Sequence, residues 1–219
     1  MIEAVIFDMD GLLVDSELYW ERARVEVATE HGNTWTETDQ RAVMGVSSKE
    51  WAEYMIRHLE LNMSNLEIQE VIVSKMAGYY AERLPFLPGA LDAVRLAGQH
   101  WRTALASGSH SDLITIVTRH PDLNGRFDLI ISGDEVPAGK PAPDIYLETT
   151  RKLGVEPRHA VCLEDSANGI LAGYRAGMRV IAVPSREYPP HPEVLSQADC
   201  VLGSLVEFSK ELIDQLDGN

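Results

Sequence analysis

Residues 89–216 repeat one pattern, and that pattern restricts the fold more than any composition figure does. Short apolar runs rich in Val, Ile and Ala alternate with longer amphipathic stretches. The sequence predicts helices over 90–98, 111–119, 142–153, 168–176 and 204–216. It predicts strands over 103–106, 127–131, 160–163 and 179–183, with a short edge strand at 199–202. Strands that are apolar throughout, rather than alternating, are buried on both faces. Repeated strand-helix units of this kind make an α/β fold with a doubly wound parallel sheet. A further apolar run at 4–7 supplies the first strand.

The stretch between that first strand and Gly89 has a different character. Helical patterns over 17–31, 35–44, 47–61 and 64–84 follow one another with no convincing strand between them. Ser47 or Ser48 with Glu50, and Ser64 with Glu67, read as helix N-terminal caps. Pro85 and the Pro88-Gly89 pair return the chain to the alternating pattern. The expected organisation is a core of residues 1–15 and 86–219 carrying an inserted helical domain of residues 16–85. A chain of 219 residues with 45% apolar content can fill both.

Charge narrows the partners. Lys and Arg total 19 against 34 Asp and Glu, a net charge of -15. Such a surface repels phosphate backbones and anionic membranes, so no nucleic-acid partner is expected. No apolar run approaches the ~20 residues of a membrane span, and the N-terminus lacks the basic-then-apolar pattern of a secretory signal. The expectation is a soluble, cytoplasmic monomer whose partner is a small molecule. Cys162 and Cys200 both lie in apolar runs with no metal-type spacing, and are expected to be buried, reduced thiols.

In a doubly wound sheet, ligands collect beyond the carboxyl ends of the strands. The strand at 4–7 ends in Asp8 and Asp10, the next in Ser107-Gly108-Ser109, the third near Gly133-Asp134 with Lys140 beyond, and the fourth in Glu164-Asp165. Asp8 and Asp10 are two apart in extended chain, so their side chains lean to one side. Two such carboxylates can divide nucleophile and proton-transfer roles, although a strand-end turn explains the pair alone equally well. Four acids at one edge are electrostatically untenable without a metal, and hard oxygen ligands select Mg²⁺. Asp165 or Ser166 could instead cap the following helix. Ser107-Gly108-Ser109 opens a helix and can cradle an anion on hydroxyl and amide groups, as ordinary loop residues also would. Lys140 can hold a phosphate as a point charge, or stand solvated on the surface.

Taken in order, DMDGLLVDSE, ASGSH, GKPAPDIY and LEDSANG resemble the four signature motifs of the haloacid dehalogenase superfamily. The resemblance covers nearly the whole chain, and the inserted helices resemble that superfamily's small helical cap. It implies Asp8 as the nucleophile that forms an aspartyl-phosphate and Asp10 as the acid/base. It implies Ser107 and the Gly108 amide as phosphate ligands and Lys140 as the cation that steadies nucleophile and phosphoryl group. Asp165 matches the metal-binding acid, with Glu164 a second ligand or outer partner, and Asp8 and the Asp10 carbonyl complete the Mg²⁺ set. An acid two residues after the nucleophile argues against dehalogenase and phosphonate-cleaving chemistry.

What remains is a phosphatase, similar to hexitol-, 2-deoxyglucose- and pseudouridine-phosphate phosphatases, or a phosphomutase of the β-phosphoglucomutase kind. Trp20 stands where the mutase pattern has His, and Ser48 where it has Arg, so hydrolysis of a small sugar or polyol phosphate is favoured. Lys49 is the one residue that could replace that Arg. Substrate choice is expected to fall to Glu17, Trp20, Ser48 and Lys49 in the cap. A non-catalytic binding protein on the same fold is the rival reading, and loss of Asp8, Asp10, Lys140 or Asp165 would mark it.

Overall fold

The computed structural model describes residues 1–186 and 188–217. Six strands form one sheet: β1 (Ala4–Phe7), β2 (Arg102–Ser107), β3 (Leu129–Ser132), β4 (Ala160–Glu164), β5 (Arg179–Ala182) and β6 (Cys200–Val201). All pair in parallel, in the order β3-β2-β1-β4-β5-β6. The order reverses beside β1, which places its end at a topological switch point where ligands bind. Register then fixes the neighbours: Phe7 lies between Leu105 of β2 and Leu163 of β4. The residues that follow these three therefore emerge together at one edge.

Alternation along β1 divides the interior in two. Val5 and Phe7 pack with Leu105, Val161 and Leu163 against α5 (Ala90–His100), α6 (Ser111–Thr118) and the C-terminal helix α10 (Lys210–Asp217). Ala4 and Ile6 pack with Ala104, Ile131 and Val180 against α7 (Asp144–Leu153) and α8 (Ala167–Arg175). Both faces are thus covered, as the apolar strands require. A short helix α9 (Pro192–Leu195) completes the set.

Between β1 and β2 lie α1 (Glu17–Glu30), α2 (Glu37–Ala42), α3 (Ser48–His58) and α4 (Asn65–Glu82). Their apolar interior, with Trp51, Met55, Ile68, Ile72 and Met76, is continuous with the first core cluster. Three capping boxes start α2, α3 and α4: Thr36 with Asp39, Ser47 with Glu50, and Ser64 with Glu67. Each satisfies two otherwise unpaired backbone donors. The chain leaves and re-enters the core side by side, through a bridge between Val14 and Phe86. The Asp15 amide donates to the Pro85 carbonyl at 2.8 Å and the Leu87 amide to the Leu13 carbonyl at 2.9 Å.

Three expectations need correction. The stretch 204–216 is not one helix: a 3₁₀ turn, Leu205–Glu207, precedes an extended Phe208, and α10 starts at Lys210. Phe208 is drawn inward, its ring 6.1 Å from that of Phe7 in an edge-on contact, and packing overrides the helical pattern. The expected helix over 35–44 shortens to Glu37–Ala42, because Thr36 turns its hydroxyl to the Asp39 amide. Cys162 is buried as expected, whereas Cys200, on the edge strand, is half-buried. Among the described residues no helix is long and apolar enough to cross a membrane.

Candidate active site

Asp8 follows β1 directly and is 6% exposed. Lys140, 2% exposed, reaches it from the loop before α7, Nζ lying 2.6 Å from Asp8 Oδ1 and 2.6 Å from Glu164 Oε1. The same ammonium donates to the Ala106 carbonyl at 3.1 Å. Tyr146 of α7 donates its hydroxyl to Glu164 and lies with its ring under Lys140, 5.3 Å from Nζ. Lys140 is therefore not a solvated surface residue: it is a buried cation shared between two carboxylates. Burial works against its charge, but Asp8 and Glu164 outweigh it and hold its proton more tightly than usual.

The acids experience the opposite balance. Burial pushes Asp8 up to about 8; Lys140 lowers it, while Glu164 and Asp10 add to the rise. Asp165, 2% exposed, is pushed well above the usual carboxylate range by burial first and by the charges of Asp8, Glu164 and Glu17. Ser166, not Asp165, caps α8, its hydroxyl accepting from the Gly169 amide at 3.1 Å. Asp165 is thereby left to other work. Its Oδ2 is buried with no hydrogen-bond partner, as is Glu164 Oε2.

These two orphaned oxygens test whether the site fits a cation. Asp8, Glu164 and Asp165 each bring one carboxylate oxygen to within 4.8 Å of the others, all three residues being buried. Buried, unpaired carboxylate oxygens in such proximity cost several kcal/mol unless a positive charge joins them, so the donor set suits a hard divalent ion. Gly11 makes room for the arrangement. Its φ of +72° belongs to the left-handed region, and a Cβ there would lie 2.1 Å from Asp165 Oδ2.

Asp10 is held quite differently. Its Oδ1 accepts from Ser16 Oγ at 2.7 Å, Trp20 Nε1 at 3.0 Å and Tyr80 Oη at 3.3 Å. Its Oδ2 accepts from Ser109 Oγ at 2.6 Å and Ser107 Oγ at 3.4 Å. Donors from both the insertion and the core thus fix this carboxylate beside Asp8 without any ion pair. Ser107 Oγ also accepts from the Ser109 amide at 3.0 Å, closing the turn after β2. At Gly108 a side chain has no room: a Cβ would stand 2.7 Å from the Val46 carbonyl, so the insertion's main chain presses directly on this loop.

Above the acids lies a small, partly closed cavity between the sheet edge and the insertion. Asp8, Asp10, Gly108, Ser109, Asp165 and Ser166 form its floor, and Glu17, Trp20, Arg24, Trp51 and the 43–46 loop its roof. Of the four residues expected to face a leaving group, Glu17 and Trp20 line this cavity. Ser48 and Lys49 do not: Ser48 is fully buried, its amide donating to Asp134 at 3.2 Å, and Lys49 is exposed at the start of α3. Sequence reasoning missed Ser16, Tyr80 and Arg24, and read Ser109 as part of an anion cradle, not as a donor to Asp10. The helical spacing 17, 20, 24 could have indicated Arg24, since these positions share one face of α1.

The strand order and the acid-tipped edge define a doubly wound parallel-sheet protein with its ligand site at the carboxyl ends of the strands. The family model of haloacid dehalogenase-like hydrolases matches residues 2–177, and the chain belongs to that family. It is 36% identical to hexitol phosphatase B of Escherichia coli strain K12, over 97% of each chain. It is 35% identical to the phosphorylated carbohydrates phosphatase of Thermotoga maritima, covering 82% of this chain and 84% of that one. The crystal structure of CbbY from Rhodobacter sphaeroides in complex with phosphate superposes with a TM-score of 0.83 at 32% identity, covering 94% and 96% of the two chains.

Proposed function

We propose that this chain is a Mg²⁺-dependent phosphatase of small sugar or polyol monophosphates, working through an aspartyl-phosphate on Asp8. The observation that carries the reading is the division of labour between neighbouring carboxylates: Asp8 is tied to the Lys140 ammonium, while Asp10 is held apart by hydroxyl and indole donors. A nucleophile needs its charge kept, and an acid/base needs to be positioned without a fixed counter-charge. The relatives named as phosphatases of hexitols and phosphorylated carbohydrates support the substrate class.

In the first half-reaction an Asp8 oxygen attacks phosphorus, the bond to the ester oxygen breaks, and Asp10 delivers a proton to that leaving oxygen. In the second, Asp10 takes a proton from water as the water oxygen attacks phosphorus and releases Asp8. Lys140 balances charge on Asp8 throughout. Ser109 and Ser107 keep Asp10 aimed, and the insertion lying over Gly108 excludes bulk water. Asp8, Asp165 and the Asp10 carbonyl would hold Mg²⁺, with Glu164 completing the set or supporting it from behind. When bound, the ion neutralises charge that collects on the phosphoryl oxygens.

The test is phosphate release from a panel of sugar, polyol and nucleoside monophosphates with and without Mg²⁺. The expected result is metal-dependent release, abolished in Asp8→Asn, and a phosphorylated Asp8 peptide recovered after acid quench. No turnover of any ester by Mg²⁺-loaded protein sinks the reading. Conversion of β-glucose 1-phosphate to glucose 6-phosphate, instead of release of free phosphate, would establish a mutase in its place.

A further inference from the structure

Arg24 is the one cationic side chain among the residues that line the active cavity. It projects from α1, one turn beyond Trp20, and is 4% exposed. The guanidinium lies 4.8 Å over the Trp20 ring and 5.9 Å from the centre of Trp51. Such stacking holds its plane fixed and costs it none of its donors. Burial lowers its pKa to about 10, against the opposing pull of Glu17 and Asp10, so it stays charged near neutrality.

Its hydrogen bonding is incomplete. A guanidinium has five N–H donors. Arg24 donates one hydrogen bond, from Nη1 to Gln40 Oε1 at 3.0 Å, and its Nε is buried with no partner. Gln40 can take no more of the load. Its Oε1 also accepts from Trp35 Nε1 at 3.0 Å, which fills both lone pairs, and its amide nitrogen points to Glu17 Oε2 at 3.4 Å. A buried donor without an acceptor is destabilising, the more so when it is charged. A ligand in the cavity is the remaining source of acceptors.

We infer that Arg24 is the residue with which this chain reads its leaving group, and that the group it takes is uncharged and rich in hydroxyls. This rests on the phosphatase reading above. Hydroxyl oxygens accept from the rigid guanidinium fork, and the same hydroxyls can donate to the Glu17 carboxylate on the same face of α1. Charge decides against a second phosphate. Glu17 and Asp10 line the space that Arg24 shares and already pull on its charge, so its single positive charge is answered before a ligand arrives. A second dianion there would meet more repulsion than attraction, whereas a polyol meets neither. Ser48, where a phosphate-gripping Arg is expected in a mutase, lies outside the cavity.

The experiment measures kcat/KM with Mg²⁺ for sorbitol 6-phosphate, p-nitrophenyl phosphate and fructose 1,6-bisphosphate, in the wild type, Arg24→Met and Arg24→Lys. Losing one or two charged hydrogen bonds corresponds to about 10–100-fold. The ratio of sorbitol 6-phosphate to p-nitrophenyl phosphate should fall by that factor in Arg24→Met. Arg24→Lys, which keeps the charge but loses the fork, should fall between. Circular dichroism confirms that both variants fold, and the ratio is read on whichever retains wild-type secondary structure. A wild type that hydrolyses p-nitrophenyl phosphate while the Arg24 variants leave the ratio unchanged overturns this inference alone. So does a wild-type preference for the bisphosphate that Arg24→Met removes. A wild type that releases phosphate from none of the three esters overturns the phosphatase reading and this inference with it.

Discussion

Asp39 in the insertion and Asp165 at the sheet edge are both about 2% exposed, yet burial has opposite outcomes for them. Burial works against the Asp39 carboxylate, but it is outweighed by the Thr36 hydroxyl and amide at 2.6 and 2.8 Å and by Tyr54 and His58 at 2.8 and 2.9 Å, so its pKa falls. Asp165 has an orphaned oxygen and three like charges around it, and its pKa rises. The insertion holds Asp39 as a structural part, with both its oxygens answered. The sheet edge leaves its acids under-compensated, and such sites are where perturbed groups gather to meet a ligand.

Removing the one internal compensation at the sheet edge should have the largest effect. Lys140→Met leaves Asp8 and Glu164 buried without their shared cation, and urea unfolding should show a loss of about 3–5 kcal/mol together with loss of phosphatase activity. A loss below about 1 kcal/mol would show that the acids tolerate burial without it.

A second experiment supplies compensation from outside. Asp8 has a folded pKa of about 8 against an ordinary 3.8, so between those values the native state binds more protons than the unfolded chain. The sign follows: this contribution is fully present below pH 4 and is lost as pH rises through 8. In EDTA, the thermal midpoint should fall between pH 5 and pH 8, and Asp8→Asn should flatten that slope. Mg²⁺ at a hundred times its Kd should restore about 2.7 kcal/mol at pH 8. A midpoint in EDTA that rises over this range contradicts the reading.

The smallest effect belongs to the insertion's surface. Glu26 accepts from Lys75 at 3.0 Å and from Arg22 at 2.9 Å, which lowers its pKa from 4.5 to about 2. Its contribution is present above pH 4.5 and is lost as pH falls towards 2. Glu26→Gln should cost under about 1 kcal/mol at pH 7, since the pair is partly solvated, with the difference from wild type closing in acid and in high salt. An undiminished difference at pH 2 would refute the electrostatic origin.

The parallel sheet was legible because strands buried on both faces leave an unmistakable apolar signature, and the acids stood where each run stopped. Asp8, Asp10, Glu164 and Asp165 meet at one edge because β1 and β4 run in register, and Lys140 reaches them from the loop before α7. Phe208 was not legible, since an aromatic residue in a helical pattern gives no sign that a ring across the core will draw it out of register. Ser109 and Tyr80 were hidden for another reason: their bonds to Asp10 span 99 and 70 residues. Arg24 shares a helix face with Glu17 and Trp20, but its burial between Trp20 and Trp51 depends on a residue of α3, 27 positions further on, and has no local sign. Ser48 and Lys49 lie outside the cavity because the start of α3 is tied to the core through the Ser48 amide and Asp134, a contact between residues 86 apart in sequence.

The bridge between Val14 and Phe86 carries a consequence for the history of such chains. The four helices between those residues begin and end one strand-spacing apart, so the core experiences them as a loop of fixed mouth and free length. Loop closure costs only ~0.6 kcal/mol for each doubling of length. The sheet and its register are set by the core's own strands, so an exchange of the insertion would disturb Asp10, through Ser16, Trp20 and Tyr80, before it disturbed Asp8 or Asp165. Any replacement roof would therefore have to bring its own donors for Asp10.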